Sequence, residues 1–331
     1  MDTASNESKV GIVIIGRNEG QRLISCLDSL TGLLKYFNHI VYVDSGSDDG
    51  SQSAAEKVGA ICLNLDMTRP FSAARARNEG WRYLIQRYPE IEFIQFIDGD
   101  CLLQPGWLHE ALQQITKMPR AAVICGRRRE IYPDKSIYNQ FCDDEWNTPI
   151  GKALACGGDA LIRVAALQDV NGYTEHFIAG EEPEMCYRMR KKNWGVFRLD
   201  TEMTLHDANI THFTQWWKRA NRAGFAFALS AKEHGKGSER FGVHQTLRSL
   251  VWSGLLVGIL LLGLFSPVML LALLIFPLQV IKIFLKQKER SLYGLKSCIF
   301  LMISKFPEAI GVVELMIKTL RKQNYTIIEY K

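Results

Sequence analysis

Phe93-Ile94-Gln95-Phe96-Ile97-Asp98-Gly99-Asp100 is an apolar run that stops abruptly at two carboxylates one glycine apart. A run of this length, rich in Ile and Phe, suits the interior of an α/β sheet. Acids at the carboxyl mouth of such a strand stand where open α/β sheets bind ligands. Gly99 permits a sharp turn, so Asp98 and Asp100 can both approach one hard cation. Mg²⁺ or Mn²⁺ takes oxygen ligands of this kind and can then hold a diphosphate. Asp-Gly-Asp is also turn-prone on composition alone, so the neighbouring segments carry the choice.

Upstream, residues 10–16 form a β-type run ending at Gly16, and the polar turn Arg17-Asn18-Glu19-Gly20 opens a helix with Leu23, Leu27, Leu30 and Leu34 on one face. A second strand, residues 39–43, stops at Asp44-Ser45-Gly46-Ser47-Asp48-Asp49-Gly50-Ser51, a loop of small and acidic residues that leads into a helix at 52–58. A third strand at 60–65 precedes a long helix, 71–87, which carries Arg75, Arg77 and Asn78. Beyond Asp100 come a helix at 107–116 and a strand at 121–127. This alternation predicts a mostly parallel, doubly wound α/β sheet.

The following region is less regular. Gly157-Gly158-Asp159 precedes a helical stretch over 160–169, and Gly180-Glu181-Glu182-Pro183-Glu184 starts a helix running to Lys192. Acids in a first turn favour the helix dipole, which is the plain reading of Glu181–Glu184. Asn193 sits where a helix C-cap favours a left-handed residue. A β-like segment, 196–205, leads to His206-Asp207.

With 331 residues and 47% hydrophobic content the chain can bury a sizeable core. Its net charge of +5 is mild and its basic residues are spread, so nucleic acid is not an expected partner, whereas a membrane surface stays open. The eight cysteines, at 26, 62, 101, 125, 142, 156, 186 and 298, form no C-x-x-C pair and no zinc spacing, and read as buried free thiols. Residues 1–9 are a polar tail without the apolar centre of a secretory signal, which points to a reducing, cytosolic setting.

Residues 250–285 are apolar apart from Ser253, Ser266, Gln279 and Lys282, with Arg248 on one side and Lys286, Lys288 and Arg290 on the other. One straight helix of that length would measure roughly 54 Å, against a hydrocarbon core of about 30 Å. Ser266-Pro267 is the natural bend. Residues 246–290 therefore read as a hairpin that spans or enters the bilayer, with both ends on the cytoplasmic face of a plasma or inner membrane. Before it, aromatics and arginines over 213–232 fit either an interfacial amphipathic helix, within about residues 212–235, or a core helix. Residues 291–331 read as an amphipathic C-terminal segment.

The Arg17-Asn18-Glu19 turn, the Asp44–Gly50 loop, Asp98-Gly99-Asp100, Gly157-Gly158-Asp159 and Glu181-Glu182-Pro183-Glu184 occur in one order. That order resembles the family 2 glycosyltransferases over about residues 10–225. The resemblance implies a GT-A catalytic domain, here residues 10–245, a nucleotide-diphosphate sugar donor, Mn²⁺ or Mg²⁺, and inversion at the anomeric carbon. It implies donor contacts from Gly16, Arg17, Asn18 and Glu19, where the family has Pro-Thr before its Asn-Glu. It implies that Asp44 reads the base, although Ser45 stands where a second acid is common. By the same resemblance Arg77 and Asn78 line the donor pocket, Asp98 and Asp100 are metal and ribose-sugar ligands, and Gly157, Gly158 and Asp159 lie on the acceptor side. Glu182 matches the family's catalytic base, with Glu for the usual Asp, and Glu181 is the second candidate. His206 falls where some relatives supply a further metal ligand, and a structural histidine is the equal alternative.

Transfer from a nucleotide sugar needs a cation at the departing diphosphate, a base for the acceptor hydroxyl and exclusion of water. The expected activity is single addition to a lipid-linked or membrane-proximal glycan, with a UDP-sugar favoured and membrane lipids as neighbours. Gln215-Trp216-Trp217-Lys218-Arg219 differs in order and spacing from the Gln-x-x-Arg-Trp motif of processive synthases, so processivity is not inferred. Two other readings are a sugar nucleotidyltransferase, whose Gly-rich loop after strand one is missing here, and an inactive membrane scaffold that binds nucleotide sugar.

Overall fold

The computed structural model describes residues 9–33, 39–323 and 325, and within them the chain divides between Thr211 and His212 into two units. Of the polar N-terminal tail only Lys9 falls among the described residues, and Leu34 of the first helix's apolar face lies outside them.

The first unit is built on nine strands: β1 (Val10–Gly16), β2 (His39–Asp44), β3 (Ile61–Asn64), β4 (Phe93–Asp98), β5 (Cys101–Leu103), β6 (Ala121–Glu130), β7 (Gly151–Lys152), β8 (Ala160–Arg163) and β9 (Gly195–His206). Their order is β3-β2-β1-β4-β8-β6-β9-β5, with β7 paired to β9. Helices α1 (Gln21–Leu30), α2 (Ser51–Lys57), α3 (Ala73–Arg87), α4 (Trp107–Lys117), α5 (Ile137–Trp146), α6 (Val164–Asp169) and α7 (Glu181–Lys191) connect them. Val10, Ile12, Val13, Ile14, Val41, Ile94 and Phe96 are fully or almost fully buried. Such unbroken apolar strands need helices over both faces, which is why they read as sheet interior.

The β3-β2-β1-β4 half is parallel as the alternation predicts. The other half is mixed: β8 runs antiparallel between β4 and β6, and β5 and β7 run antiparallel to β9. Residues 160–169, read as one helix from sequence, are a strand followed by α6. Ala160, Leu161 and Ile162 are buried, and ladder bonds on both sides outweigh the helical tendency of so short a segment. Register decides where the chemistry sits. Gly16 pairs with Asp44 and Ile15 with Asp98, so β1, β2 and β4 end at one level of the sheet.

The second unit contains α8 (Phe213–His234), α9 (Val243–Phe265), α10 (Ile275–Leu285), α11 (Leu292–Ile303) and α12 (Lys305–Leu320). Trp216, Phe225 and Leu229 of α8 are buried, and the helix packs on α12. A Cβ on Gly224 would stand 1.9 Å from the Glu308 carbonyl oxygen, and one on Gly311 would stand 2.1 Å from that of Asn221, so this contact admits only glycine. Packing thus covers part of the surface that sequence assigned either to an interface or to a core. Glu308, paired with Lys305, accepts from Ser249 Oγ at 2.6 Å and Ser304 Oγ at 2.9 Å, which ties α12 to α9. Helix α9 ends at Phe265, Ser266 is extended, and Pro267 opens a 3₁₀ stretch leading into α10. Val243–Phe265 and Pro267–Leu285, with mean hydropathies of 2.0 and 2.5, are each long and apolar enough to cross a membrane.

Candidate active site

The sheet edge where β1, β2 and β4 end carries most of the residues that sequence singled out, though their partners divide them. Asp44 is fully buried. Its carboxylate accepts from Tyr42 Oη at 3.0 Å, from the backbone N–H groups of Gly46 and Ser47 at 3.0 and 2.8 Å, and from Gln52 Nε2 at 2.9 Å. Burial pushes its pKa up, and the hydrogen bonds from Ser47 and Gln52 outweigh that and hold it below the usual range. Asp44 therefore braces the 45–51 loop from within. Asn18, at φ 54°, joins the same loop: its N–H donates to Ser47 Oγ at 2.9 Å and its Oδ1 accepts from Asp48 N at 2.9 Å. Arg17 lies over the Phe71 ring, 4.5 Å from its centroid, Glu19 pairs with Arg22 at 2.7 Å, and Gly16 sits against Tyr42.

Asp98 is held by two guanidinium groups. Arg77 Nη2 lies 2.7 Å from Oδ1, and Arg128 Nη2 lies 3.2 Å from Oδ2. Burial raises its pKa, and Arg77 and Arg128 outweigh the burial and hold it below the usual carboxylate range. Arg77 also reaches Glu181 at 2.8 Å. Asp159 is fully buried beneath them, accepting from Asp98 N at 2.9 Å and Thr204 Oγ1 at 2.7 Å, so its carboxylate faces the cluster interior. Gly158 lets its loop press in: a Cβ there would meet Asp98 Oδ2 at 2.5 Å and Arg77 Nη2 at 2.9 Å. Gly157, beside it, has φ +79°.

Asp100 points elsewhere. Its Oδ2 lies 3.2 Å from His206 Nε2, because β5 pairs Cys101 with His206 across the sheet. Asp100, Cys101 and His206 present ligand atoms within 4.8 Å of one another, as do Asp98, Cys101 and Asp159. A carboxylate with an imidazole nitrogen fits Mn²⁺ and Mg²⁺ less equally than all-oxygen sets do, favouring Mn²⁺. Burial pushes the Cys101 thiol well up, against the pull of Arg128. Both oxygens of Asp98 are on arginines, whereas Asp100 faces His206.

Asn78 belongs to a different structure from Arg77. Fully buried, it donates to the Tyr173 carbonyl at 2.8 Å and accepts from Tyr173 N at 2.9 Å and Trp81 Nε1 at 3.1 Å. It clamps the 172–175 turn instead of facing a pocket. Asn78→Ala leaves buried backbone groups without partners, so unfolding is expected to become easier by about 2–4 kcal/mol. A thermal melt at the wild-type value would show that water or neighbours replace the amide.

Glu182 lies in the first turn of α7. Glu181 is paired and Glu184 accepts two bonds from Arg188, whereas Glu182, half-buried, has neither an ion pair nor a hydrogen bond from another side chain among the described residues. Burial pushes its pKa up to about 7, the neighbouring Glu181 charge adds to the rise, and Arg77 opposes it. A carboxyl poised there can accept a proton near neutral pH.

Sequence reasoning missed Arg128 and Trp146. Arg128 belongs to the Arg127-Arg128-Arg129 run closing a buried strand, where each charge needs a partner, and that run was the available signal. Arg127 finds Asp143 and Arg129 finds Glu202. Trp146 left no comparable mark.

Residues 11–169 match the family described as Glycosyl transferase family 2, and residues 93–286, more than half of the chain, match Glycosyl transferase family group 2. This chain belongs to the family 2 glycosyltransferases. It is 23% identical over 218 residues to the O-antigen chain rhamnosyltransferase RfbN of Salmonella typhimurium, covering 61% of this chain and 68% of that protein. To the pre-mycofactocin glycosyltransferase of Mycobacterium tuberculosis it is 24% identical over 243 residues, 68% of this chain but only about half, 48%, of that one. Among solved structures it is similar to the mannosyltransferase PcManGT from Pyrobaculum calidifontis in complex with GDP-Man and Mn²⁺. The TM-score is 0.58 at 14% identity, over 92% of this chain and 87% of that one, a likeness of fold.

Proposed function

We propose that this transferase is inverting and metal-dependent, and moves a sugar from a nucleotide-diphosphate sugar to a lipid-linked or membrane-proximal glycan. The observation that carries the reading is Glu182: an acid without a salt bridge among the described residues, raised to about 7, next to the Arg77–Glu181–Asp98 cluster. In this reading the acceptor oxygen attacks the anomeric carbon, Glu182 takes its proton, and the bond to the diphosphate breaks on the opposite side. Asp100 and His206 would hold Mn²⁺ or Mg²⁺, which supplies charge for the departing diphosphate. Asp98, clamped by its arginines, is left for hydroxyls of the donor. The 157–158 loop presses against that clamp on the side assigned to the acceptor.

A membrane-proximal acceptor is supported by the two apolar stretches, 243–265 and 267–285, and by the name of RfbN, an O-antigen chain enzyme. Arg248, near the start of the first stretch, and Lys286, Lys288 and Arg290, just beyond the second, favour a cytoplasmic catalytic unit at a plasma or inner membrane. A UDP-sugar is the first donor to try, and GDP-mannose, bound in the structural neighbour, is the second.

The test is calorimetric titration of UDP- and GDP-sugars into the full chain in detergent, with and without Mn²⁺. One donor is expected to bind only with the metal. Absence of metal-dependent binding for every nucleotide sugar would falsify the reading.

A further inference from the structure

Arg128 is the least spent cation in the cluster. Arg77 places short bonds on Asp98 and Glu181 and is 3% exposed, while Arg128 is 12% exposed and makes only long contacts. Its Nη2 lies 3.2 Å from Asp98 Oδ2 and 3.4 Å from Cys101 Sγ. Its Nε, buried and without a hydrogen bond among the described residues, stands 3.6 Å from Asp159 Oδ2. Among the described residues nothing accepts from Nη1, and a Cβ on Gly157 would come no closer to Nη1 than 4.0 Å. A guanidinium fork with donors in reserve suits the oxygens of a phosphate better than an ammonium does.

Trp146 sets where that fork stands. Its ring lies under the Arg128 guanidinium at 5.1 Å and beside the His206 ring at 4.7 Å. One indole therefore touches both the arginine and the imidazole that faces Asp100. Stacking of this kind fixes the plane of a guanidinium and leaves its N–H edge for a ligand.

We infer that Arg128, held on Trp146, binds the diphosphate of the nucleotide-sugar donor, with Trp146 as its positioning residue. This rests on the donor site proposed above. As the bond from the anomeric carbon to the diphosphate oxygen breaks, its electron pair goes to that oxygen while the new bond forms to the acceptor oxygen, whose proton goes to Glu182. Arg128 donates to the oxygens that gain charge, so it contributes to turnover as well as to binding.

The experiment is calorimetry on the full chain in detergent with Mn²⁺, titrating UDP and GDP, each beside its monophosphate. In Arg128→Gln the diphosphate that wild type binds should weaken by about 10–100-fold, the range of a charge-assisted contact, with the monophosphate changed by less than about twofold. Arg128→Lys should recover part of the loss, and kcat should fall more than KM rises. Trp146→Ala should weaken the diphosphate alone, and Trp146→Phe should remain near wild type. If the glutamine variant does not fold, the lysine and phenylalanine variants decide the question by the same comparison. Equal losses for diphosphate and monophosphate, or none, overturn the assignment while leaving the donor site intact. A wild-type enzyme that binds neither diphosphate removes the donor reading itself, and this one with it.

Discussion

Glu182→Gln is expected to bind the nucleotide sugar as wild type does and to lower kcat by about 10²–10⁴-fold, the worth of a positioned general base. The amide keeps the size and the hydrogen-bonding reach of the carboxyl but cannot take a proton. Arg77 already has Glu181 and Asp98, so the substitution breaks no ion pair among the described residues. Glu181→Gln, by contrast, removes a partner of a buried guanidinium and should cost stability before it costs chemistry. Equal kcat losses in stable forms of both variants would shift the base to Glu181 or to the pair acting together.

The raised pKa gives this expectation a pH signature. The base works ionised, so wild-type kcat/KM should climb as pH rises through about 7, and Glu182→Gln should lack that limb. Stability runs the other way. Between the ordinary glutamate range and about 7 the folded enzyme holds a proton that the unfolded chain has released, so wild type loses stability as pH rises through that window. The glutamine variant carries no such charge into the site. Its Tm at pH 8 should equal or exceed that of wild type, which separates a lost base from a damaged fold.

The parallel half of the sheet was legible because each of its strands is apolar on both faces and ends at polar punctuation. Gly16, Asp44 and Asp98 end their strands, and register brings those ends level. Of the mixed half only β6 and β9 were legible, since β5 has three residues and β8 four, too few for periodicity to separate strand from helix. The same limit applies to the site. Motif order marked Asp98, Asp100, Arg77, His206 and Glu182, and these do gather with their partners in one unit. What it could not show was who bonds to whom. Asn78 sits next to Arg77 in sequence, yet helical geometry turns it to Tyr173 and Trp81. Arg128 reaches Asp98 only because β6 and β4 flank β8, a placement that exists in the folded sheet and nowhere in local pattern.

That difference in partners yields the second large effect, on metal binding. Local sequence pairs Asp98 with Asp100, but β5–β9 pairing joins Asp100 to His206 while two arginines occupy Asp98. If Asp100 and His206 hold the cation, Asp100→Ala and His206→Ala should each weaken Mn²⁺ by at least about 100-fold, since even outer-shell partners are worth 10–100-fold. Free Mn²⁺ followed by electron paramagnetic resonance, with saturating nucleoside diphosphate, reads this without turnover. His206→Asp, which offers oxygen for nitrogen, should retain binding and move preference from Mn²⁺ toward Mg²⁺. Asp98→Asn should hold Mn²⁺ to within a few-fold, because its carboxylate is already neutralised by Arg77 and Arg128. A large Mn²⁺ loss in Asp98→Asn with His206→Ala unaffected would restore the Asp98–Asp100 pair and make the histidine a structural partner of Trp146.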